Sequence, residues 1–153
     1  MVAVVQFYIR PNSISKGEEL VKDLVWDNML SIGVDEVDDD HRKLVSLFNI
    51  LNHSVTGEDA PEYLTAILEE LINCTLWHFS HEERLMLKYG YEEYAKHKAE
   101  HRKLIKSAKE LQQKILRAGN LVEDEDIEFL EHWLSEHILT ADKRMGSYLA
   151  MEK

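Results

Sequence analysis

The chain has 153 residues, 44 % of them hydrophobic and 31 % charged, with 6 Gly and 2 Pro; this is a helix-rich globular composition, long enough to bury roughly 70 % of the surface of the unfolded chain, and it excludes a disordered one. A formal net charge of −11 would be repelled by a phosphate backbone, so nucleic acid is not an expected partner. The single cysteine, Cys74, rules out an internal disulfide, and no run approaches the roughly 18 apolar residues of a spanning helix, so a cytoplasmic protein with no membrane partner is expected.

In chain order, residues 1–25 read as an N-terminal arm and residues 26–153 as a helical bundle. The opening "MVAVVQFYIRP" has its apolar run broken by Gln6, Arg10 and Pro11 and no basic stretch before it, so it does not read as a signal peptide. The first helix is expected from the acidic run Asp38 to Asp40 through about Val55, the carboxylates suiting a helix N-terminus. "TGEDAP" breaks the chain, and Pro61 sits well at a first helical position. A second helix runs from Pro61 to Tyr89 and stops at Gly90; a third covers about Tyr91 to Ala118 and stops at Gly119-Asn120. The fourth begins in "EDED" near Asp124 and continues to Met145 or beyond. Connections this short make neighbours antiparallel, so the expected fold is all-α: an up-down-up-down four-helix bundle with an N-terminal arm.

At 3.6 residues per turn, the residues within about 40° of His78 are Leu64, Ile67, Leu71, Cys74, Glu82 and Leu85. His78 and Glu82 therefore lie in the middle of a core-facing stripe, His81 at its flank, and Glu83 and Arg84 well away from it. On the third helix His97 and His101 share a face with Leu104, Ala108, Leu111 and Ile115; on the first, His41 shares one with Val45, Phe48, Asn52 and Val55; on the fourth, His137 shares one with Leu130, Trp133 and Ala141, with Leu134 beside it. A lone histidine on an apolar face is most simply a core residue bonded to a carbonyl. Five converging on one interior with a carboxylate are different, because each uncompensated polar group costs roughly 1–3 kcal/mol to bury. A shared metal removes that cost for all of them. His53, His81 and His132 fall off these faces and are expected at the surface, Trp77 is expected to pack, and Cys74 to serve as a small buried hydrophobe.

Imidazole with carboxylate suits zinc, iron, nickel or copper. Five histidines, Glu82 and one further carboxylate exceed one tetrahedral zinc site, which favours two metals bridged by carboxylates. The Glu-x-x-His pairs of ferritin-like di-iron proteins are absent. There is also no Ser-His-Asp or Cys-His arrangement and no phosphate-binding glycine loop, so an enzyme is not expected.

Four segments together resemble the hemerythrin family, and within it the bacterial oxygen-binding form: "WDNMLSIGVDEVDDDH" ending at His41, "HFSHEE" from His78, "HKAEH" from His97 to His101, and "HILTAD" from His137 to Asp142. The resemblance spans about residues 26–145. It implies two iron ions, one held by His97, His101 and His137 and the other by His41 and His78, bridged by Glu82, Asp142 and an oxo or hydroxo group. It further implies reversible O2 binding at the two-histidine iron, under an apolar pocket to which Leu134, Phe79 and Trp133 contribute. The expected role is oxygen storage or delivery, with a protein recipient of the O2 unidentified. Sensing through a partner, or peroxide or nitric oxide chemistry at the same irons, are the alternatives. Two departures stand out: Met145 occupies a position where animal members often carry an aromatic, and residues 1–25 have no counterpart.

One spacing does not fit an ideal helix. His78 to Glu82 and His97 to His101 are four apart, about 40° around the axis, whereas His137 to Asp142 is five apart, about 140°. Either a π-type widening between about Leu134 and Asp142, or reach from opposite edges of the helix, is expected.

Overall fold

The apolar stripes close four helices into a ring. The computed structural model describes residues 8–9 and 22–152. Its helices are α1 (Asp35–Thr56), α2 (Pro61–Lys88), α3 (Tyr94–Arg117) and α4 (Asp124–His137); α4 runs on through a π turn, Ile138–Asp142, into α5 (Lys143–Glu152). Helix α1 packs on α2 and α4, α2 on α3, and α3 on α4, which is the antiparallel up-down-up-down bundle. No helix among the described residues is long and apolar enough to cross a membrane.

The interior is a continuous apolar cluster in which Val37, Leu44, Phe48, Leu51, Leu68 and Met86 meet Ile115, Leu130, Met145 and Leu149. Met145, at the departure from the animal pattern, is fully buried in it. Most of the arm expected over residues 1–25 lies outside the described residues. Within them, β1 (Tyr8–Ile9) pairs antiparallel with β2 (Lys22–Asp23). The chain after β2 is strapped to α1 by Asn49, whose side chain accepts from the Leu24 N–H at 2.9 Å and donates to the Leu24 carbonyl at 2.8 Å.

Two helix boundaries differ from the sequence reading. Helix α1 begins at Asp35, three residues early, because Asp38 does not cap it: the Asp38 carboxylate turns back to accept from the Ile32 N–H at 2.8 Å and from the Ser31 hydroxyl. That bond folds residues 31–33 across the end of the bundle. Helix α3 begins at Tyr94 rather than Tyr91, after a turn at Gly90 whose φ of +66° favours glycine. The Tyr148 hydroxyl donates to the Tyr89 carbonyl at 2.7 Å and anchors this turn to α5. The last helix continues past Met145 to Glu152, and Gly146 inside it has a packing reason, since a Cβ there would collide with the carbonyl and side chain of Ile32.

Candidate metal centre

Each helix of the ring delivers part of one polar cluster into the apolar interior. His41 comes from α1, His78 and Glu82 from α2, His97 and His101 from α3, His137 from α4 and Asp142 from the π turn; all seven are buried, at 8 % exposure or less. The π turn resolves the five-residue spacing. The Lys143 N–H bonds to the Ile138 carbonyl five residues back, and a turn one residue wider gives positions i and i+5 the relation that i and i+4 have in an α-helix. His137 Nε2 thereby lies 3.0 Å from Asp142 Oδ1.

The two carboxylates divide their oxygens between two groups of imidazoles. Glu82 Oε1 is 2.9 Å from His78 Nε2 and 3.4 Å from His41 Nε2, while Glu82 Oε2 is 3.0 Å from His101 Nε2 and 3.3 Å from His97 Nε2. Asp142 Oδ2 is 3.0 Å from His41 Nε2, while Asp142 Oδ1 is 3.1 Å from His97 Nε2 and 3.0 Å from His137 Nε2. Two donor groups result, Glu82 with His97, His101, His137 and Asp142, and His41 with His78, Glu82 and Asp142, the chosen donor atoms of each lying within 4.8 Å of one another.

These contacts are short without being hydrogen bonds in most cases. His41 Nε2, His78 Nε2, His137 Nε2, Glu82 Oε1 and both Asp142 oxygens are buried with no hydrogen-bond partner among the described residues. Buried polar atoms are rarely left so, and here all six belong to residues of the two donor groups. Metal–donor bonds of about 2.1 Å meeting at right angles would set neighbouring donors about 3.0 Å apart, which is the spacing found. The donor set fits metal ions.

Electrostatics agree with a site made for positive charge. Burial opposes ionisation of Glu82, but His78, His101 and His41 overcome it and hold the carboxyl well below its usual range. Burial and the Glu82 charge push Asp142 up, yet His137 and His41 prevail and its carboxyl is also depressed. In turn burial disfavours the imidazolium of His78, and Glu82 and Asp40 more than reverse this, raising it to about 10. His97 is raised to about 9, Asp142 and Glu82 outweighing its burial. His41 is raised for the same reason.

A second layer of carboxylates stands behind the clustered histidines. Asp40 Oδ2 accepts from His78 Nδ1 at 2.9 Å and His81 Nδ1 at 2.6 Å, and Glu83 Oε1 lies 3.0 Å from His101 Nδ1. Glu100 Oε2 is 3.8 Å from His137 Nδ1. The sequence reading missed this layer, taking Asp40 as part of a helix start and Glu83 as pointing away. It also placed His81 at the surface, whereas His81 is buried; a neighbouring helix supplies the partner, and only the flank position hinted at it. Trp77, expected to pack, is 60 % exposed, resting one side on the His81 ring. His53 and His132 are exposed, and Cys74 is half-buried against the core.

Residues 32–149 match the Hemerythrin HHE cation binding domain. The chain is 34 % identical over 119 residues to the bacteriohemerythrin of Pseudomonas paraeruginosa, covering 78 % of this chain and 76 % of that one. The chain belongs to the hemerythrin family. It is also 34 % identical over 113 residues to the bacteriohemerythrin of Methylococcus capsulatus, covering 74 % of this chain and 86 % of that one. A crystal structure of wild-type hemerythrin superposes with a TM-score of 0.74 at 32 % identity, covering 82 % of this chain and 97 % of the other.

Beside the cluster, bordered by His41, His78, His137 and Asp142, lies a small cavity also lined by Leu44, Phe79, Leu104, Trp133, Leu134 and Ile138. The centre of a water-sized sphere has about 10 Å³ there, room for about one very small molecule. Two polar groups near it are already committed: the Thr75 hydroxyl donates to the Leu71 carbonyl at 2.8 Å and the Trp133 indole N–H to the Leu104 carbonyl at 2.9 Å. Phe79 stacks flat on His101, rings 3.7 Å apart, and so also fixes that ring.

Proposed function

We propose that the chain holds two iron ions at this centre and binds O2 reversibly at the two-histidine ion, for storage or delivery of oxygen. The observation that carries the reading is the division of the Glu82 and Asp142 oxygens between the two imidazole groups, which is what carboxylates bridging two ions must do. His97, His101 and His137 would hold one ion and His41 and His78 the other, with an oxo or hydroxo group as a further bridge. Membership of the hemerythrin family supports O2 as the guest, and bound iron would supply the electrons that O2 takes up on binding and returns on release.

The chain's own part is geometric and protective. Five protein donors would serve one ion and four the other, so the side with fewer donors is the one with room for a guest, and the cavity of Leu134, Phe79 and Trp133 is bordered by His41 and His78 of that side as well as by His137 and Asp142. With the Thr75 hydroxyl and Trp133 N–H tied to carbonyls, neither is free to give a proton to the guest. A dry wall without spare donors favours release of the guest intact over peroxide or nitric oxide chemistry. The test is metal analysis with an optical spectrum of the iron-loaded chain through cycles of deoxygenation. Two irons per chain and a reversible spectral change are expected. One ion per chain, or full zinc occupancy with no response to O2, would overturn the reading.

A further inference from the structure

We propose that Asp40 and His81 act as one positioning unit for the two-histidine side of the centre: Asp40 orients His78, and His81 orients Asp40. The inference rests on the two-metal reading above. Asp40 reaches from α1 to α2, and its Oδ2 is the shared partner of His78 Nδ1, at 2.9 Å, and His81 Nδ1, at 2.6 Å. An ionised carboxylate only accepts, so both ring nitrogens donate. A proton on Nδ1 of His78 leaves its Nε2 lone pair directed into the cluster, where a metal would be bound.

His81 needs an explanation of its own. It is buried at 6 % exposure, yet belongs to neither donor group. Its Nε2 looks outward, 3.7 Å from Glu36 Oε2, and Trp77 lies against its ring. What it does inward is donate a second, shorter bond to the oxygen that holds His78. One bond would leave the Asp40 carboxylate free to swing about its own side-chain torsions; two donors from successive turns of α2 fix it.

The two-histidine side depends on this unit more than the other side depends on any single group. His41 Nδ1 is buried with no hydrogen-bond partner among the described residues, so His78 is the ligand on that side with a carboxylate behind it. On the three-histidine side, Glu83 stands behind His101 at 3.0 Å, and Glu100 is 3.8 Å from His137. Loss of Asp40 should therefore loosen one ion and spare the other.

The experiment loads the full chain with Zn(II) and measures two stepwise affinities by chelator competition. Asp40→Ala should weaken one ion by about 10–100-fold, as outer partners of metal ligands typically do, and leave the other within about threefold. Asp40→Asn, whose side-chain carbonyl still accepts, should recover most of that loss. His81→Phe should give a smaller loss that disappears in the Asp40→Ala background. In nitrogen NMR of the zinc-loaded chain, the His78 Nδ1–H should be protected from exchange in the wild type and exposed in Asp40→Ala. Thermal melts of the metal-free variants check folding, and if Asp40→Ala does not fold, Asp40→Asn and His81→Phe carry the comparison. Equal losses at both ions, or a His81 effect that adds fully to that of Asp40, would overturn the proposal. A wild type that takes up one ion only would remove the two-metal reading and this inference with it, whereas two ions bound equally well without Asp40 would remove this inference alone.

Discussion

Metal uptake by the metal-free chain at pH 8 should release about two protons from His78 and His97. With carboxylates raising His78 to about 10 and His97 to about 9, both imidazoles are mostly protonated at pH 8, roughly two protons together. A metal ligand must be a neutral imidazole, so these protons leave as the ion enters. His41, also raised, adds to the number, and a hydroxide bridge drawn from water would contribute one more. Five histidines at the ordinary value near 6.5 would hold only about 0.15 protons in total at this pH. The assay is a Zn(II) titration of the metal-free chain in weak buffer with a pH indicator, or calorimetry in two buffers of different ionisation enthalpy. Release of about one proton or fewer per chain at pH 8 would show that the buried carboxylates do not hold protons on the ligand histidines, and the electrostatic argument for the site would fail.

Because the folded values of His78 and His97 are raised, their stabilisation of the metal-free chain is complete below about pH 6.5 and is lost as pH climbs through 9 to 10; the gain in melting temperature on metal loading should grow between pH 6.5 and 9, and a constant gain would contradict this. Leu134→Asn places an amide in the cavity wall and should speed oxidation of the iron-loaded protein to a form that no longer takes up O2; an unchanged rate at full iron content would show that Leu134 does not guard the site. Gly146→Ala should lower the melting temperature, since overpacking against Ile32 costs about 1–3 kcal/mol and the helix propensity gained is worth about 1; a higher melting temperature would mean that residues 31–33 move away freely. Deleting Thr140, exposed in the π turn, should convert the turn to ordinary α-helix with His137 and Asp142 still on one face, retaining fold and metal content; loss of an ion would mean that the extra residue does more than restore register.

The parts of the site that could be read from sequence are those whose signal is local to one helix. His78 with Glu82, and His97 with His101, stand on apolar stripes at helical spacing, and a polar group there is conspicuous because its burial is costly. The π turn was legible as a contradiction, since His137 and Asp142 cannot share a face of an ideal helix. Asp40, Glu83 and His81 were not legible, because their partners lie on other helices and a helical wheel reports only the angle about its own axis. Glu83 points away from the stripe of α2 and still reaches His101 on α3. The start of α1 was misjudged for a related reason: Asp38 has the chemistry of a cap, but a tertiary bond to the Ile32 N–H takes its carboxylate.

The arrangement makes metal content and bundle stability a single quantity. Glu82 and Asp142 are fully buried charges, and unpaired charges at that depth are strongly disfavoured. In the metal-free chain the protons raised onto His78, His97 and His41 supply the compensation; in the loaded chain the metal would. Protons and metal therefore compete for the same carboxylates, and acid should release the ions before it unfolds the chain. The compensation is not equivalent in geometry, however. An imidazolium neutralises a carboxylate pairwise, whereas an ion held by His41 and His78 with Glu82 and Asp142 joins α1, α2 and the π turn at once, and its neighbour brings in α3 and α4 through His97, His101 and His137. Binding energy spread over every helix of the ring appears as folding energy, so loss of metal should loosen the whole bundle instead of one loop of it.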